Sequence, residues 1–175
     1  MATRHVDHLL IGGGIASASC AAALREQGAG GSILVVGREL GAPYHRPPIT
    51  KGILRGTSSR ADALVHPAGW WAQHDVDLLT RTSVMALDPG ARTATLSTKE
   101  QVSYDTALLA TGAMVRRLDV DGAELDGIHY LRALGNADSL RRDLEQAEHV
   151  VCVGGPTSDA RSRRRSRPWA SAARC

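Results

Sequence analysis

The sequence predicts an α/β fold, and three observations point to it. Short apolar runs, which predict buried strands, occur at residues 6–11 (VDHLLI) and 32–37 (SILVVG), with a helix-forming segment between them. Three consecutive glycines, Gly12 to Gly14, separate the first strand from that helix. The composition, with 43% hydrophobic and 22% charged residues over 175 residues, is that of a globular domain that can bury a core.

The three segments predict one βαβ unit. The helix is expected from Ile15 to Gly28, because small residues cluster there and the final glycine occupies the position of a C-terminal cap. Residues 6–37 together have the length of roughly 30 residues that such a unit requires. A parallel strand pair with a connecting helix is the core of the Rossmann-like arrangement.

The glycine turn has the chemistry of a dinucleotide site. Gly12 permits a tight turn off the strand, and Gly14 lets the backbone approach a pyrophosphate without an obstructing Cβ. The N–H groups at the helix start, at Ile15 and Ala16, supply positive potential for phosphates. Ser17 stands where the GxGxxG pattern has its last small residue, so the pattern here is GxGxxS. The alternative is a glycine-rich turn that holds no ligand.

A carboxylate is expected at the end of the second strand, because dinucleotide sites bind the adenosine ribose there. Glu39 is the only acidic residue at that position. Its neighbour Arg38 is consistent with recognition of a 2′-phosphate, but we favour an arginine that faces solvent.

The segment at residues 43–51, PYHRPPITK, predicts a stiff and extended loop. Pro47 and Pro48 fix their own φ angles and bias the preceding residues away from helix. The loop carries two cations, Arg46 and Lys51, and arginine can chelate phosphate or stack on a ring. We therefore expect this loop to bring positive charge to a nucleotide cofactor.

Together these segments resemble those of the FAD-dependent, NAD(P)H-linked ferredoxin and rubredoxin reductases. These are relatives of apoptosis-inducing factor within the pyridine nucleotide-disulphide oxidoreductases. The resemblance extends over residues 6–155 and rests on three motifs: LLIGGGIA at 9–16, PYHRPPITK at 43–51 and ATGA at 110–113. It implies an α/β, Rossmann-like FAD-binding fold with a parallel sheet and a small antiparallel β meander.

The resemblance also implies a role for each matching residue. The FAD pyrophosphate would lie against Gly12 and Gly14, and the adenosine ribose against Glu39. Lys51, the one residue expected to be catalytic, would lie near the flavin ring and favour its reduced, anionic form. The other expected cofactor contacts are Ile15, Ala16, Arg46, Val84 through its backbone at the adenine, Thr111 and Gly112. No metal ligand is expected.

Residues 1–113 correspond, on this resemblance, to the first half of the FAD-binding domain. They include a strand pair within residues 75–88 and further strands at 94–96 and 104–110. In the turn between those last two strands, Thr98-Lys99-Glu100 replaces the Asp-Gly that is usual in the family.

Residues 114–155 correspond to a connector and to the first strand of a truncated NAD(P)H-binding domain. The connector contains an amphipathic helix at residues 136–147, and the strand is expected at 149–155 as a buried, apolar run. This strand leads into a second glycine turn that departs from the family. Pro156 has no N–H to offer, and Asp159 stands where a small residue belongs.

Residues 156–175 form a basic tail with six arginines and one aspartate, whereas residues 1–155 carry a net charge of −2. The arginine-serine string has no apolar periodicity, so we expect it to be disordered. When the tail is back-translated and read two bases later, favourable choices of the free codon bases give YIGCEVAASLAPMGVGCAL, which resembles the family's continuation. We therefore expect a frameshifted tail and a chain truncated relative to the family. The alternative is an arginine-rich arm that binds nucleic acid.

The resemblance implies an oxidoreductase that passes electrons from NAD(P)H through FAD to a ferredoxin or rubredoxin. We expect a cytoplasmic protein with no nucleic-acid partner. No membrane partner is expected either, since no apolar run approaches the ~20 residues of a membrane span. The three cysteines, Cys20, Cys152 and Cys175, form no CxxC or CxxxxC pair, which argues against a disulfide-reducing mechanism. The chain itself is expected to be inactive and to retain FAD weakly or not at all. A catalytically silent nucleotide-binding module is the alternative function.

Overall fold

The structure is a computed structural model that describes residues 3–153. The chain divides into two compact units. The first contains residues up to 45 together with 64–113, and the second contains residues 46–63 and those from 114 onward.

Strands and helices alternate in the first half of the chain, as the sequence predicts. The strands are β1 (Thr3–Ile11), β2 (Ile33–Val36), β3 (Val76–Leu79), β4 (Val84–Asp88), β5 (Thr93–Leu96) and β6 (Gln101–Leu109). The helices are α1 (Ile15–Glu26), α2 (Gly52–Arg55), α3 (Trp70–Gln73) and α4 (Leu134–Leu144), and 3₁₀ turns cover Pro47–Thr50 and Ala61–Ala63.

The first unit is built on one mixed sheet with the strand order β3-β2-β1-β6-β5-β4. Strands β3, β2, β1 and β6 are parallel, and β5 and β4 continue the sheet in antiparallel pairs. This parallel sheet with an antiparallel meander confirms the fold class that the sequence predicts.

The apolar strand runs explain why the sheet forms. All four residues of β2 are buried, which is typical of a central parallel strand covered on both faces. One apolar cluster joins the parallel strands to the meander through Leu9, Leu34, Leu96 and Val102. The other packs helix residues against the sheet around Leu10, Ala18, Ala21, Ile33, Val35, Trp71 and Val76.

Helix α1 lies close to the sheet because its inner face carries small residues. Ser17, Ala18 and Ala21 are fully buried. The helix ends near Gly28, which takes a left-handed φ of +74° as a C-terminal glycine should. Arg25, in its last turn, donates to the carbonyl oxygens of His74 and Asp75 at 2.9 and 2.8 Å, which attaches this end of α1 to the start of β3.

The second unit contains residues 46–51 of the proline-rich segment and helix α4. Ile49, Ile53, Leu54 and Ala137 are buried in it, and Arg60 forms an ion pair with Asp138. Helix α4 was expected at residues 136–147 and lies at Leu134–Leu144. It begins two residues early because Asn136 Oδ1 accepts hydrogen bonds from the N–H groups of Arg132 and Ala133, at 3.2 and 2.7 Å.

The strand expected at residues 149–155 is absent from the part of that segment that the structure describes. Residues 149–153 form no strand, and Val151 and Val153 are 75% and 76% exposed. A strand is stable only beside a hydrogen-bonded neighbour, and none of the six described strands pairs with this segment. Residues 154 and 155, and the tail at 156–175 with its expected disorder, lie outside the described residues.

No helix within residues 3–153 has the length and apolar character needed to cross a membrane.

Candidate functional site

The four parallel strands end level with one another, and this edge carries most of the predicted site. Ile11 at the end of β1 pairs with Val36 of β2 and with Leu109 of β6, and Val36 pairs with Leu79 of β3. Ligands of open α/β sheets bind outside the carboxyl ends of the strands. The sequence-predicted residues that follow β1, β2 and β6 therefore share one edge of the first unit.

Gly12 shapes the turn that leaves β1. Its φ is +133°, and a Cβ built on it would lie 2.1 Å from the carbonyl oxygen of Ala110 and 3.2 Å from the backbone nitrogen of Thr111. Hydrogen bonds hold the turn on both sides, from Gly12 N to Val36 O at 2.9 Å and from Ala110 N to Ile11 O at 2.8 Å. No side chain fits at position 12, so the turn can pass directly against the segment that follows β6.

Gly13 and Gly37 form a backbone contact that the sequence analysis missed. A Cβ on Gly13 would lie 3.0 Å from the Cα of Gly37, and a Cβ on Gly37 would lie 2.8 Å from the Cα of Gly13. This close approach brings the end of β2 against the glycine turn. The sequence signal that could have indicated this contact is Gly37 itself, which directly follows the apolar run of β2.

Gly14 differs from its two neighbours because it faces open space. A Cβ on it would meet no atom within 4 Å. Gly14 is also the N-cap of α1, where no side chain caps the helix and no acidic residue lies in the first turn. Ile15 and Ala16 follow it as exposed residues. The uncapped N–H groups and the helix dipole give this position the positive potential that an anionic group needs.

Ser17 lies directly under this turn and is fully buried. Its Oγ has no hydrogen-bond partner among the described residues. The small side chain allows α1 to approach the sheet, as the third small residue of the GxGxxG pattern does, but the hydroxyl is left unsatisfied.

Glu39 follows β2 at the same edge and is held through both its backbone and its side chain. Its carbonyl oxygen accepts from Arg81 N at 3.0 Å, and its carboxylate accepts a hydrogen bond from the hydroxyl of Tyr44. Arg38 is exposed, as expected. The neighbouring Thr82 N donates to Gly37 O at 3.0 Å, so the segment leading to Val84 also crosses the end of β2.

The remaining predicted residues of the first unit are Val84, Thr111 and Gly112. Val84 begins β4, is half-buried, and pairs with Leu96. Thr111 and Gly112 follow β6 as exposed residues, and Gly112 has a φ of +70°. The backbone of Thr111 therefore lies against Gly12. Val84 comes two residues after Thr82, whose N–H donates to the carbonyl oxygen of Gly37 just after β2.

Arg46 and Lys51, the two predicted cations, belong to the second unit. The Nη1 of Arg46 donates to the carbonyl oxygen of Arg132 at 2.9 Å. A cleft of about 240 Å³ is lined by Arg46, Pro47, Ile49, Thr50, Leu131 and Arg132. Lys51 is exposed and is not part of that lining. Arg132 was not predicted as a site residue, because it lies 86 positions from Arg46 in the sequence and nothing local signals their contact.

A separate group of polar residues lies nearer the start of β1. The ligand atoms of His5, Asp7 and Asp105 lie within 4.8 Å of one another. Asp7 is held by hydrogen bonds from the backbone N–H and the hydroxyl of Ser32, at 2.6 and 2.7 Å, and these lower the pKa of its carboxyl. Exposed acidic groups commonly cluster without an ion, so we assign no metal to this group.

Comparison with known proteins identifies the family. The sequence pattern of the family described as pyridine nucleotide-disulphide oxidoreductase matches residues 6–158. The chain is 37% identical over 146 residues to the rhodocoxin reductase of Rhodococcus erythropolis, covering 83% of this chain and 34% of that protein. It is 33% identical over 147 residues to a rubredoxin-NAD(+) reductase of Pseudomonas putida, covering 84% and 38%.

Solved structures give the same result for the fold. A putidaredoxin reductase in covalent complex with putidaredoxin superimposes with a TM-score of 0.88 at 27% identity, covering 94% of this chain and 40% of that one. A ferredoxin reductase from Rhodopseudomonas palustris gives the same TM-score and identity, with 94% and 41% covered. The resemblance to ferredoxin and rubredoxin reductases is confirmed, and the chain spans 34% to 41% of the length of these relatives.

Proposed function

The chain belongs to the pyridine nucleotide-disulphide oxidoreductase family, and on that premise we propose that it is the FAD-binding part of a flavoprotein reductase. In this proposal the whole protein passes electrons from NAD(P)H through FAD to a ferredoxin or a rubredoxin. The relatives named above include a rubredoxin-NAD(+) reductase and a ferredoxin reductase. The proposal for the described residues is narrower: they bind FAD.

The open glycine turn is the observation that supports this proposal most strongly. Gly12 and Gly13 are packed against backbone, whereas Gly14 faces open space beside an uncapped helix start. A glycine-rich turn with a purely structural role would have no need of a third glycine where a side chain meets no atom. The residues present therefore fit a pyrophosphate at Gly14, Ile15 and Ala16.

The other residues of the edge fit the adenosine half of FAD. Glu39 offers a held carboxylate to the ribose hydroxyls, and Val84 offers its backbone to the adenine. Thr111 and Gly112 lie beside the turn and line the path of the cofactor toward its flavin end. These assignments follow the family resemblance and the shared edge of the sheet.

The second unit is proposed to supply the positive charge. On the family resemblance, Arg46 would contact the cofactor, and Lys51 would lie near the flavin ring and favour its reduced, anionic form. When bound, FAD links a two-electron donor such as NAD(P)H to a one-electron acceptor such as an iron–sulfur protein. The chain's own residues bind and orient the cofactor.

We also propose that the chain by itself does not turn over NADH. The second glycine turn of the sequence contains Pro156 and Asp159, which do not provide the N–H group and the small residue that such a turn requires. NADH added to the purified chain with FAD is expected to give no reduction of ferricyanide above the rate of free FAD. NADH-dependent reduction by the chain would show that this part of the proposal is wrong.

Titration of FAD into the purified chain tests the cofactor assignment. We expect saturable binding at one site, observed as a change in flavin fluorescence, and we expect FAD to be lost during purification. Gly14→Ala is expected to weaken binding at least tenfold, since its Cβ occupies the space into which the pyrophosphate fits, while the stability of the chain falls by only about 1 kcal/mol or less, the cost of alanine at an N-cap.

Gly30→Ala is the matched control, because Gly30 also has no atom within 4 Å of a built Cβ but lies in the loop before β2, at the other end of the strand. It is expected to change neither stability nor FAD affinity. If wild-type chain shows no saturable binding, or if Gly14→Ala binds FAD as the wild type does, the cofactor assignment is wrong.

A further inference from the structure

The loop at residues 118–128, which we call the acidic loop, combines exposed apolar side chains with carboxylates and has no role in the proposed FAD site. Four large apolar side chains in it are between 45% and 66% exposed: Leu118, Val120, Leu125 and Ile128. Four acidic residues lie between them and are exposed as well: Asp119, Asp121, Glu124 and Asp126. Exposed apolar surface that is rimmed by polar residues is typical of a protein–protein contact site.

Hydrogen bonds of its backbone hold the acidic loop in shape. Leu118 N donates to the hydroxyl of Tyr130 at 3.0 Å, which closes the loop near its two ends. Inside the loop, Ala123 N donates to the carbonyl oxygen of Val120 at 3.1 Å. A second turn begins at Gly122, whose carbonyl oxygen accepts from the N–H three residues later at 3.1 Å. None of these bonds uses a carboxylate or an apolar side chain of the loop.

The four carboxylates of the acidic loop form no hydrogen bond or ion pair with any residue in the described part of the chain. Two other acidic residues of the second unit are engaged, since Asp138 pairs with Arg60 and Asp143 lies 2.6 Å from His129. Residues 118–128 contain no lysine or arginine. The loop therefore combines uncompensated negative charge with apolar surface, and a complementary partner is a basic segment that also carries an apolar side chain.

The basic tail at residues 156–175 has this chemistry. Five of its six arginines lie within residues 161–167, and Trp169 follows them. The described residues end at 153, in the same unit that contains the acidic loop. A segment of the tail's length extends to about 66–72 Å at most, whereas a unit of about 60 residues has a radius of gyration of about 10 Å. The tail is therefore long enough to reach the acidic loop.

We propose that the basic tail docks on the acidic loop of the same chain. The arginines of residues 161–167 pair with the carboxylates of the loop, and Trp169 packs on its exposed apolar side chains. A single exposed ion pair contributes little, but a tethered segment has an effective concentration on the order of millimolar, so several weak pairs together are enough. The inference is independent of FAD binding. Its consequence is that the arginines are less available to nucleic acid.

Other occupants fit the acidic loop less well. The same loop of a second copy would bring like charges together, which opposes association. Nucleic acid would be repelled by the four carboxylates, because its backbone is itself negatively charged. The basic tail has the opposite charge and is supplied by the same chain.

Backbone amide signals of the ¹⁵N-labelled full chain locate the contact. The wild type is compared with Arg163→Gln/Arg164→Gln/Arg165→Gln, which lowers the charge of the tail and leaves residues 3–153 unchanged. We expect the largest differences in chemical shift at residues 118–128, and we expect about 0.5 M salt to remove most of them, because it screens exposed ion pairs. The absence of differences, or differences that lie elsewhere, would overturn the inference. Differences that grow with chain concentration would assign the contact to two copies and overturn it as well.

Tryptic cleavage of the tail tests the same contact from the side of the loop. Cleavage of the full chain after the arginines of residues 161–167 is followed by mass spectrometry. We expect Asp121→Asn/Glu124→Gln to speed this cleavage about threefold, because the tail is released for a larger fraction of the time. Glu145→Gln/Glu148→Gln is the matched control, since it removes two exposed carboxylates from the same unit but outside the acidic loop. The control is expected to be cleaved at the rate of the wild type.

The two double variants also separate this contact from a general effect of charge. Equal cleavage rates in the loop variant and the wild type, or equal acceleration in the loop variant and the control, would overturn the inference. Retention on immobilised RNA should increase more for the loop variant than for the control, because both changes raise the net charge equally but only the first releases the tail. Equal retention of the two variants would show that the tail is free to bind nucleic acid and would contradict the inference.

Discussion

Replacing Gly12 by alanine tests whether the glycine turn is built as the structure shows. Two independent costs arise at this position. The φ of +133° lies in a region that residues with a Cβ rarely adopt, which costs about 1–3 kcal/mol. The added Cβ would also lie 2.1 Å from the carbonyl oxygen of Ala110, which is backbone and cannot rotate away.

Relief of that clash requires the turn or the segment after β6 to move. Overpacking of this kind typically costs about 1–3 kcal/mol. Together the two costs predict that Gly12→Ala lowers the free energy of unfolding by about 2–6 kcal/mol, out of the roughly 5–15 kcal/mol that domains possess. The variant is therefore expected to be severely destabilised, and it is expected to lose FAD affinity as a secondary effect.

Urea denaturation followed by circular dichroism measures the change as a shift of the midpoint. Gly14→Ala provides the internal comparison, since the same substitution two residues away meets no atom and should lower the midpoint only by the small cost of alanine at an N-cap, about 1 kcal/mol or less. The reasoning is refuted if Gly12→Ala and Gly14→Ala have the same midpoint. It is also refuted if Gly14→Ala is the more destabilised of the two.

Two further substitutions test the surroundings of the turn. Ser17→Ala removes a buried hydroxyl that has no partner among the described residues, so we expect thermal denaturation to show a stability gain of about 1 kcal/mol; a loss would indicate an unrecognised partner for the hydroxyl. Asp7→Asn removes a carboxylate whose pKa lies below its usual 3.8 because of the hydrogen bonds from Ser32. Its contribution to stability is therefore present above that value and is lost as the pH falls through the lower, folded-state pKa. Urea denaturation should show Asp7→Asn less stable than wild type near neutral pH, with a difference that shrinks on acidification; a difference independent of pH would contradict this assignment.

The fold could be predicted from the sequence because its signals are local. The apolar runs that become β1 and β2 are dense enough to indicate buried strands, and Ile33–Val36 is indeed buried throughout. The three glycines mark the turn, and Gly28 marks the end of α1 with its left-handed φ. Each of these signals is read from adjacent residues and requires no knowledge of distant contacts.

The features that could not be predicted depend on contacts between distant residues. The approach of Gly13 to Gly37, the contact of Arg46 with Arg132 and the hydrogen bond from Tyr44 to Glu39 are set by tertiary packing. The strand expected at residues 149–155 also depends on distant residues, because a strand needs a neighbouring strand with which to pair. Its apolar run satisfies the pattern of a strand, but none of the six described strands pairs with residues 149–153, and Val151 and Val153 are exposed.

The most direct test of the account is a titration of ¹⁵N-labelled chain with FAD, followed through the backbone amide signals. The central claim is that the pyrophosphate binds at the amides where β1 leads into α1. We therefore expect the signals of Gly14, Ile15 and Ala16 to shift progressively and to saturate with the same affinity that flavin fluorescence reports. Saturable binding of FAD that leaves these three amides unshifted, while signals elsewhere in the chain move, would contradict the account.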